Sequence, residues 1–304
     1  MRRLHYSLLL TVFIFFIVCN LKAQDQPGVD STGLPGDNFS LQGALEMFQK
    51  ANSPEEFEKL INAENNHVNN LDLNEDGDID YIKVIGNMDK DAHALVLQAI
   101  ISETESQDIA VIEIEKTGEE DAVLQIIGDE DIYGEEIIIE PGSDEDNSFI
   151  DNFNNSVAHG PNAEYNSNED RIVVNVWLWP SVRFMFAPAY VLWRSPWRWH
   201  HYPTWWSPWR PLRWHAYHPF VRPYHHHFAV VHTHRVVHAH RIYTPYRVSS
   251  VTVRTRHATV VGNYRVTHTR TTITGPRGNK GVRKTTTIKG PKGNKVRSTK
   301  VKRR

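Results

Sequence analysis

The sequence predicts an α+β fold: two N-terminal helices, then an antiparallel meander of about five strands, followed by an irregular, β-rich basic tail. Three observations carry that expectation. Residues 40–61 space their apolar side chains for helices and carry helix-start signals. Residues 80–140 break into β-branched, period-two runs. After Asp170 the charge changes sign and the composition with it.

The first helix is expected from Ser40 to about Ala51, with Leu41, Leu45 and Phe48 along one side. The second has a sharper start. Ser53 can cap it, Pro54 suits the first helical position, and Glu56 completes a Ser-x-x-Glu capping box. Phe57, Leu60 and Ile61 form its apolar stripe.

Strands follow. Across 80–85, Tyr81, Lys83 and Ile85 fall on one face, Ile82 and Val84 on the other. Further runs cover 92–101, 109–116, 122–127 and 136–140. The breaks between them leave no room for crossover helices, so neighbours should pair antiparallel and the domain should pack as two layers.

All 36 Asp and Glu lie between Asp25 and Asp170, against five Lys and no Arg over residues 24–170, a balance of -31. Residues 171–304 hold 26 Lys plus Arg, no carboxylate side chain, all nine Trp and 13 of the 17 His. The chain therefore divides into a signal peptide (1–23), a flexible lead-in (24–37), an acidic α+β domain (38–141), an acidic linker (142–170), a Trp/Pro/Arg-rich segment (171–219), a His-rich segment (220–247) and a basic Thr/Val/Gly-rich repeat tail (248–304).

Arg2 and Arg3 precede twelve residues, Leu8 to Cys19, that are apolar except for Thr11, and the small Ala23 follows. That stretch suits a signal-peptide core and is short for a membrane span, so export with cleavage after Ala23 is expected. Lipoprotein processing at Cys19 is the other route. It favours a small residue just before the cysteine and an aliphatic one three before it, where Val18 and Phe16 stand. Cleavage at Ala23 would leave a chain without cysteine, hence without disulfide or thiol nucleophile.

One stretch has ligand spacing. Residues 72–80, DLNEDGDID, place oxygen-bearing side chains at alternate positions: Asp72, Asn74, Asp76, Asp78 and Asp80, with Gly77 where the chain must turn. Calcium takes six to eight hard oxygens, and this spacing curls them around one point. A solvated acidic turn uses the same residue types, but so many carboxylates in nine residues repel one another unless neutralised. The segment resembles the start of an EF-hand or dockerin loop, departing at position 12, where Lys83 replaces the bidentate acid. It is more similar to the D-x-N-x-D-G-x-x-D loop of FG-GAP and VCBS repeats. That resemblance implies Asp72, Asn74, Asp76 and Asp80 as side-chain ligands and Asp78 through its carbonyl. It covers about a dozen residues, once. More loosely, NNLDLNEDGDIDYIKV, LQIIGDEDIYGE and the Trp/Pro/His-rich stretch resemble uncharacterised secreted proteins of Bacteroidota, which implies an envelope location and no activity.

In the basic half, nine Trp fall between Trp177 and Trp214, interleaved with Arg, and Ser-Pro-Trp-Arg occurs twice. Trp favours membrane interfaces and Arg anionic headgroups, so Trp197, Arg198, Trp209 and Arg210 are candidates for holding an anionic membrane surface or acidic glycan. The rings could equally pack on the acidic domain or on each other. Lys292, Lys295 and Arg297 belong to an acid-free run, 270–304, suited to polyanions. Nucleic acid is the less favoured partner, since the chain is expected to be exported and no RNA-binding signature occurs. Opposite charge could also drive self-association, diffusely and with salt sensitivity.

The hexads VVHTHR and VVHAHR run through 230–241. As a strand they would put His232, His234, His238 and His240 on one face, able to bind zinc, copper or nickel. A polar surface repeat is the plainer reading, because no Cys or carboxylate lies near in sequence and no zinc spacing appears.

No Gly-x-Ser-x-Gly, His-Glu-x-x-His or phosphate loop occurs, so no catalytic residue is assigned and an enzyme is not expected. The reading that results is a secreted, envelope-associated binding or structural protein, its calcium-stabilised acidic domain tethered by a basic aromatic tail. The alternatives are a periplasmic transition-metal protein using the His repeat and, more remotely, a hydrolase with an unrecognised site.

Overall fold

The structure is a computed structural model that describes residues 31–142, 173–274, 280–289 and 295–303. The expected signal peptide, most of the linker, Lys292 and the rest of residues 275–279 and 290–294 lie outside the described residues. The fold mixes helices with an antiparallel six-stranded sheet.

Helix α1 (Leu41–Lys50) is capped by Ser40, whose Oγ accepts the Gly43 N–H at 3.0 Å. Helix α2 (Pro54–Ile61) is capped by Ser53 Oγ on the Glu56 N–H at 3.2 Å. The capping box is modified. Glu56 Oε2 takes the Asn52 N–H at 2.8 Å, one residue earlier than the motif predicts.

Five strands follow in a meander: β1 (Ile82–Asp89), β2 (Ala92–Ile100), β3 (Ser106–Lys116), β4 (Ala122–Gly128) and β5 (Ile137–Pro141), with the short helix α3 (Glu130–Tyr133) before β5. All neighbours are antiparallel, and a register shift between Leu97 and Gln98 leaves Ile109 as an extra residue on β3. The sixth strand, β6 (Phe228–Val231), comes from the His-rich segment and pairs with β5 from Ile138↔Val231 to Pro141↔Phe228.

The expected two layers become three. Ile112 and Ile114 of β3 join Leu95, Leu97, Leu124 and Ile126 in a core under α1 and α2, with Phe39, Phe48 and Phe57 fully buried. Each such side chain contributes roughly 1.5–3 kcal/mol on burial. The opposite face carries Ala94, Val96, Val111, Ile127, Ile138 and Val231, packed with Tyr243 at the end of α6 (Val237–Tyr243). Every residue of β2 is buried because both its faces are covered.

The remaining C-terminal helices wrap the same body. Helix α4 (Pro180–Met185) sets Val182 and Met185 in the main core, and Ser181 Oγ donates to the Phe48 carbonyl at 2.7 Å. In α5 (Trp214–Val221), Tyr217 Oη donates to the Val68 carbonyl at 2.9 Å. Helix α7 (Val251–Asn263) buries Val253 in the main core.

The edge of β1 is covered too. Gly86 N donates to the Trp193 carbonyl at 2.8 Å, and Ser195 N to the Val84 carbonyl at 3.1 Å. A side chain at Gly86 would meet that Trp193 oxygen at 2.9 Å, so this close approach needs glycine. The C-terminal half thus satisfies both edges of the five-strand meander. After α7 come β7 (Arg265–Thr274), β8 (Lys280–Lys289) and β9 (Lys295–Arg303), a separate antiparallel three-stranded sheet. Among the described residues no helix is long and apolar enough to cross a membrane.

Candidate functional site

The acidic loop folds around its own backbone. Gly77 takes φ +90° and Glu75 +56°. Asp72 accepts the Asp76 N–H on Oδ1 at 3.1 Å and the Gly77 N–H on Oδ2 at 3.0 Å. Asn74 Oδ1 accepts Asp76 N–H at 3.0 Å, and Asp76 Oδ1 accepts Asp78 N–H at 3.0 Å. Asp80 is buried and accepts the Leu73 N–H at 2.6 Å. Burial, followed by repulsion from Asp72 and Asp76, pushes the Asp80 carboxyl well above the usual carboxylate range. Burial also raises Asp72, with Asp76 adding to the shift. Lys83 lies on β1, so the loop runs into a strand. The C-terminal half braces the loop: Ile79 N donates to the Trp209 carbonyl at 2.8 Å, and Arg256 donates to the Asn74 carbonyl.

The tryptophans pack onto the acidic domain. Tyr81, Ile100 and Trp206 form a buried cluster, with Trp197, Trp199, Tyr202 and Trp209 half-buried against it. Of the nine Trp only Trp205 is exposed, at 44%. Along 193–200 the rings turn inward on alternate positions, while Arg194, Arg198 and His200 face out; Arg210 is also exposed. Trp197 and Trp209 therefore sit against the body and Arg198 and Arg210 on its surface.

The histidine hexads do not form one strand. The first copy ends β6 and turns; the second opens α6. The four histidines consequently do not share one strand face. His232 is exposed, and His238 Nε2 lies 3.1 Å from Asp89 Oδ2. His234 and His240 come together, rings 4.4 Å apart, and their missing carboxylate arrives from β3: His240 Nδ1 is 2.9 Å from Glu113 Oε1. Among the described residues this trio gathers its ligand atoms within 4.8 Å of one another. Burial pushes the Glu113 carboxyl up to about 9, helped by Glu136 and Glu115. Burial and the nearby His240 lower His234.

Glu113 is the residue that sequence reading missed. Its signal was weak: it alternates with Ile112 and Ile114 on its strand, and in the two-layer domain that the sequence predicts such an acid faces solvent.

The register of the basic sheet aligns cations. Arg265 pairs with Lys289 and Lys289 with Lys295; Arg270 pairs with Lys284 and Lys284 with Lys300. Each row thus places three cationic residues at directly opposed register positions. Lys295 and Arg297, both expected at an anionic surface, lie on β9. No protein family, no curated protein and no solved structure matches the chain.

Proposed function

We propose that the protein is an exported, non-catalytic binding protein of the cell envelope, whose basic C-terminal sheet holds a polyanionic surface. The observation that carries this reading is the pair of cross-strand cation rows, Arg265–Lys289–Lys295 and Arg270–Lys284–Lys300. Like charges directly opposed in a sheet destabilise it, and no carboxylate occurs after Asp170 to offset them within that sheet. A phosphate- or carboxylate-rich surface would neutralise both rows and release counterions.

The exposed Arg198 and Arg210 extend the basic surface on the body. The acidic partner in the same chain is already engaged, since several of its carboxylates accept hydrogen bonds from residues 193–252. Calcium at residues 72–80 would stabilise the body, and the alternate spacing of Asp72, Asn74, Asp76, Asp78 and Asp80 along the loop supports that role.

The test is sedimentation of the full chain with vesicles, phosphatidylglycerol-containing against purely zwitterionic, and with soluble lipopolysaccharide, across a salt series. Binding to the anionic arms that weakens steeply with salt is expected. Lysine-to-glutamate changes at Lys284 and Lys300 should flatten the slope. Equal binding to both vesicle types, or none to any anionic arm, would overturn the reading.

A further inference from the structure

Glu113 is fully buried in the middle of β3, and its Oε2 has no hydrogen-bond partner. His234 turns towards the same point, and its buried Nε2 also lacks a partner. A His–Glu hydrogen bond alone satisfies His240 Nδ1 and Glu113 Oε1 and leaves the other two atoms empty. Each orphaned buried polar atom costs roughly 1–3 kcal/mol.

We propose that Glu113, His234 and His240 form a three-ligand site for a divalent transition metal of the zinc class. One cation would satisfy both orphaned atoms together. Two imidazole nitrogens with one carboxylate oxygen select zinc-like ions over calcium or magnesium, which prefer all-oxygen sites. Tetrahedral zinc sets its ligand atoms roughly 3.3 Å apart. The three side chains, already within 4.8 Å of one another, reach that by small rotations.

The surroundings hold the ligands in place. Gln125 fixes the residues on both sides of His234: its Nε2 donates to the Thr233 carbonyl at 2.8 Å, and its Oε1 accepts the Arg235 N–H at 2.8 Å. Glu140 receives Arg235 Nε at 3.0 Å. Glu115 takes the N–H groups of His238 and Ala239, which seats the first turn of α6 and so aims His240. Such supporting contacts orient metal ligands. His240 also lines a recess of about 220 Å³ with Glu136, Tyr243 and Arg247, so one of the three ligands borders a space that can hold water.

The proposal is independent of the anionic surface. Its test uses the full chain, purified without a polyhistidine tag, stripped by chelator and dialysed against zinc. One equivalent should bind more tightly than the remainder. His234→Asn, His240→Asn and Glu113→Gln should each weaken that equivalent by about 100-fold or more, while His200→Asn and His215→Asn leave it unchanged. Cobalt substituted into the stripped protein should show low-coordinate visible absorption, lost in the same three variants. Zinc should raise the melting temperature of the parent protein but not of Glu113→Gln, a near-isosteric change chosen to keep the fold. A tight equivalent that survives all three variants would overturn the site. So would uniformly weak binding shared by all the histidines.

Discussion

Arg247 grips Asp129 with two nitrogens, Nε to Oδ2 at 2.6 Å and Nη2 to Oδ1 at 2.9 Å. Asp129 caps α3 and is 3% exposed at its side chain; Arg247 also reaches Asp131 at 3.0 Å. Burial pushes the Asp129 carboxyl up and the guanidinium pulls it part of the way back. This fork is the most direct weld between the acidic and basic halves. Arg247→Ala should destabilise the chain by about 2–3 kcal/mol, at or below the low end for a broken buried pair because the arginine is partly solvated. Arg247→Lys should recover less than half of that, since an ammonium cannot reproduce the fork. Urea unfolding of the three proteins measures both.

Glu58 anchors a second seam. It is 2% exposed in the middle of α2 and accepts four hydrogen bonds: Tyr81 Oη at 2.8 Å, Ser195 Oγ at 2.9 Å, Val84 N at 2.9 Å and Trp193 Nε1 at 3.2 Å. Glu58→Ala orphans donors from β1 and from the segment that covers its edge. A loss of about 3–5 kcal/mol is expected. The exposed Arg194 lies between two of those donors, so tryptic cleavage there should accelerate in the variant. An unchanged cleavage rate would mean that the edge segment is held by other contacts.

Asp108 gives the stability a pH slope. It is fully buried, accepts from Gln98, Tyr243 and the Val248 N–H, and burial lifts its carboxyl to about 6. An unfolded aspartate ionises near 3.9. Between about pH 4 and 6 the folded chain therefore holds the extra proton, and this group's contribution falls as pH rises, by on the order of 2–3 kcal/mol in all. Asp108→Asn should remove that part of the slope, whatever it does to the absolute stability. Melting or urea curves collected from pH 4 to 7 on both proteins report it; parallel curves would refute the assignment.

Calcium should stabilise the body through residues 72–80. With a dissociation constant of about 10⁻⁴ M, as in extracellular modules, about 10 mM calcium adds roughly 2.7 kcal/mol. That corresponds to a melting shift of about 5–10 °C. The double change Asp72→Asn and Asp76→Asn should abolish the shift while leaving any response to zinc intact. A shift that persists in the double variant would move the calcium effect elsewhere.

The sequence by itself determined the local elements of residues 40–141. Ser40, Ser53 and Pro54 announce both helix starts through capping chemistry that acts over three residues. Short breaks between β-branched runs force antiparallel neighbours. Tertiary structure alone decided what the basic half does. VVHTHR and VVHAHR are nearly one sequence, yet the first completes β6 against β5 and the second winds into α6 over the other sheet face. Nothing within six residues selects between those outcomes; the open edge of β5 and the apolar face around Val111 do. The same holds for Glu113, which meets His234 and His240 only because a strand and a helix more than a hundred residues away settle on its sheet. Local periodicity fixes which way a side chain points on its own element, but the partner it meets is set by long-range packing.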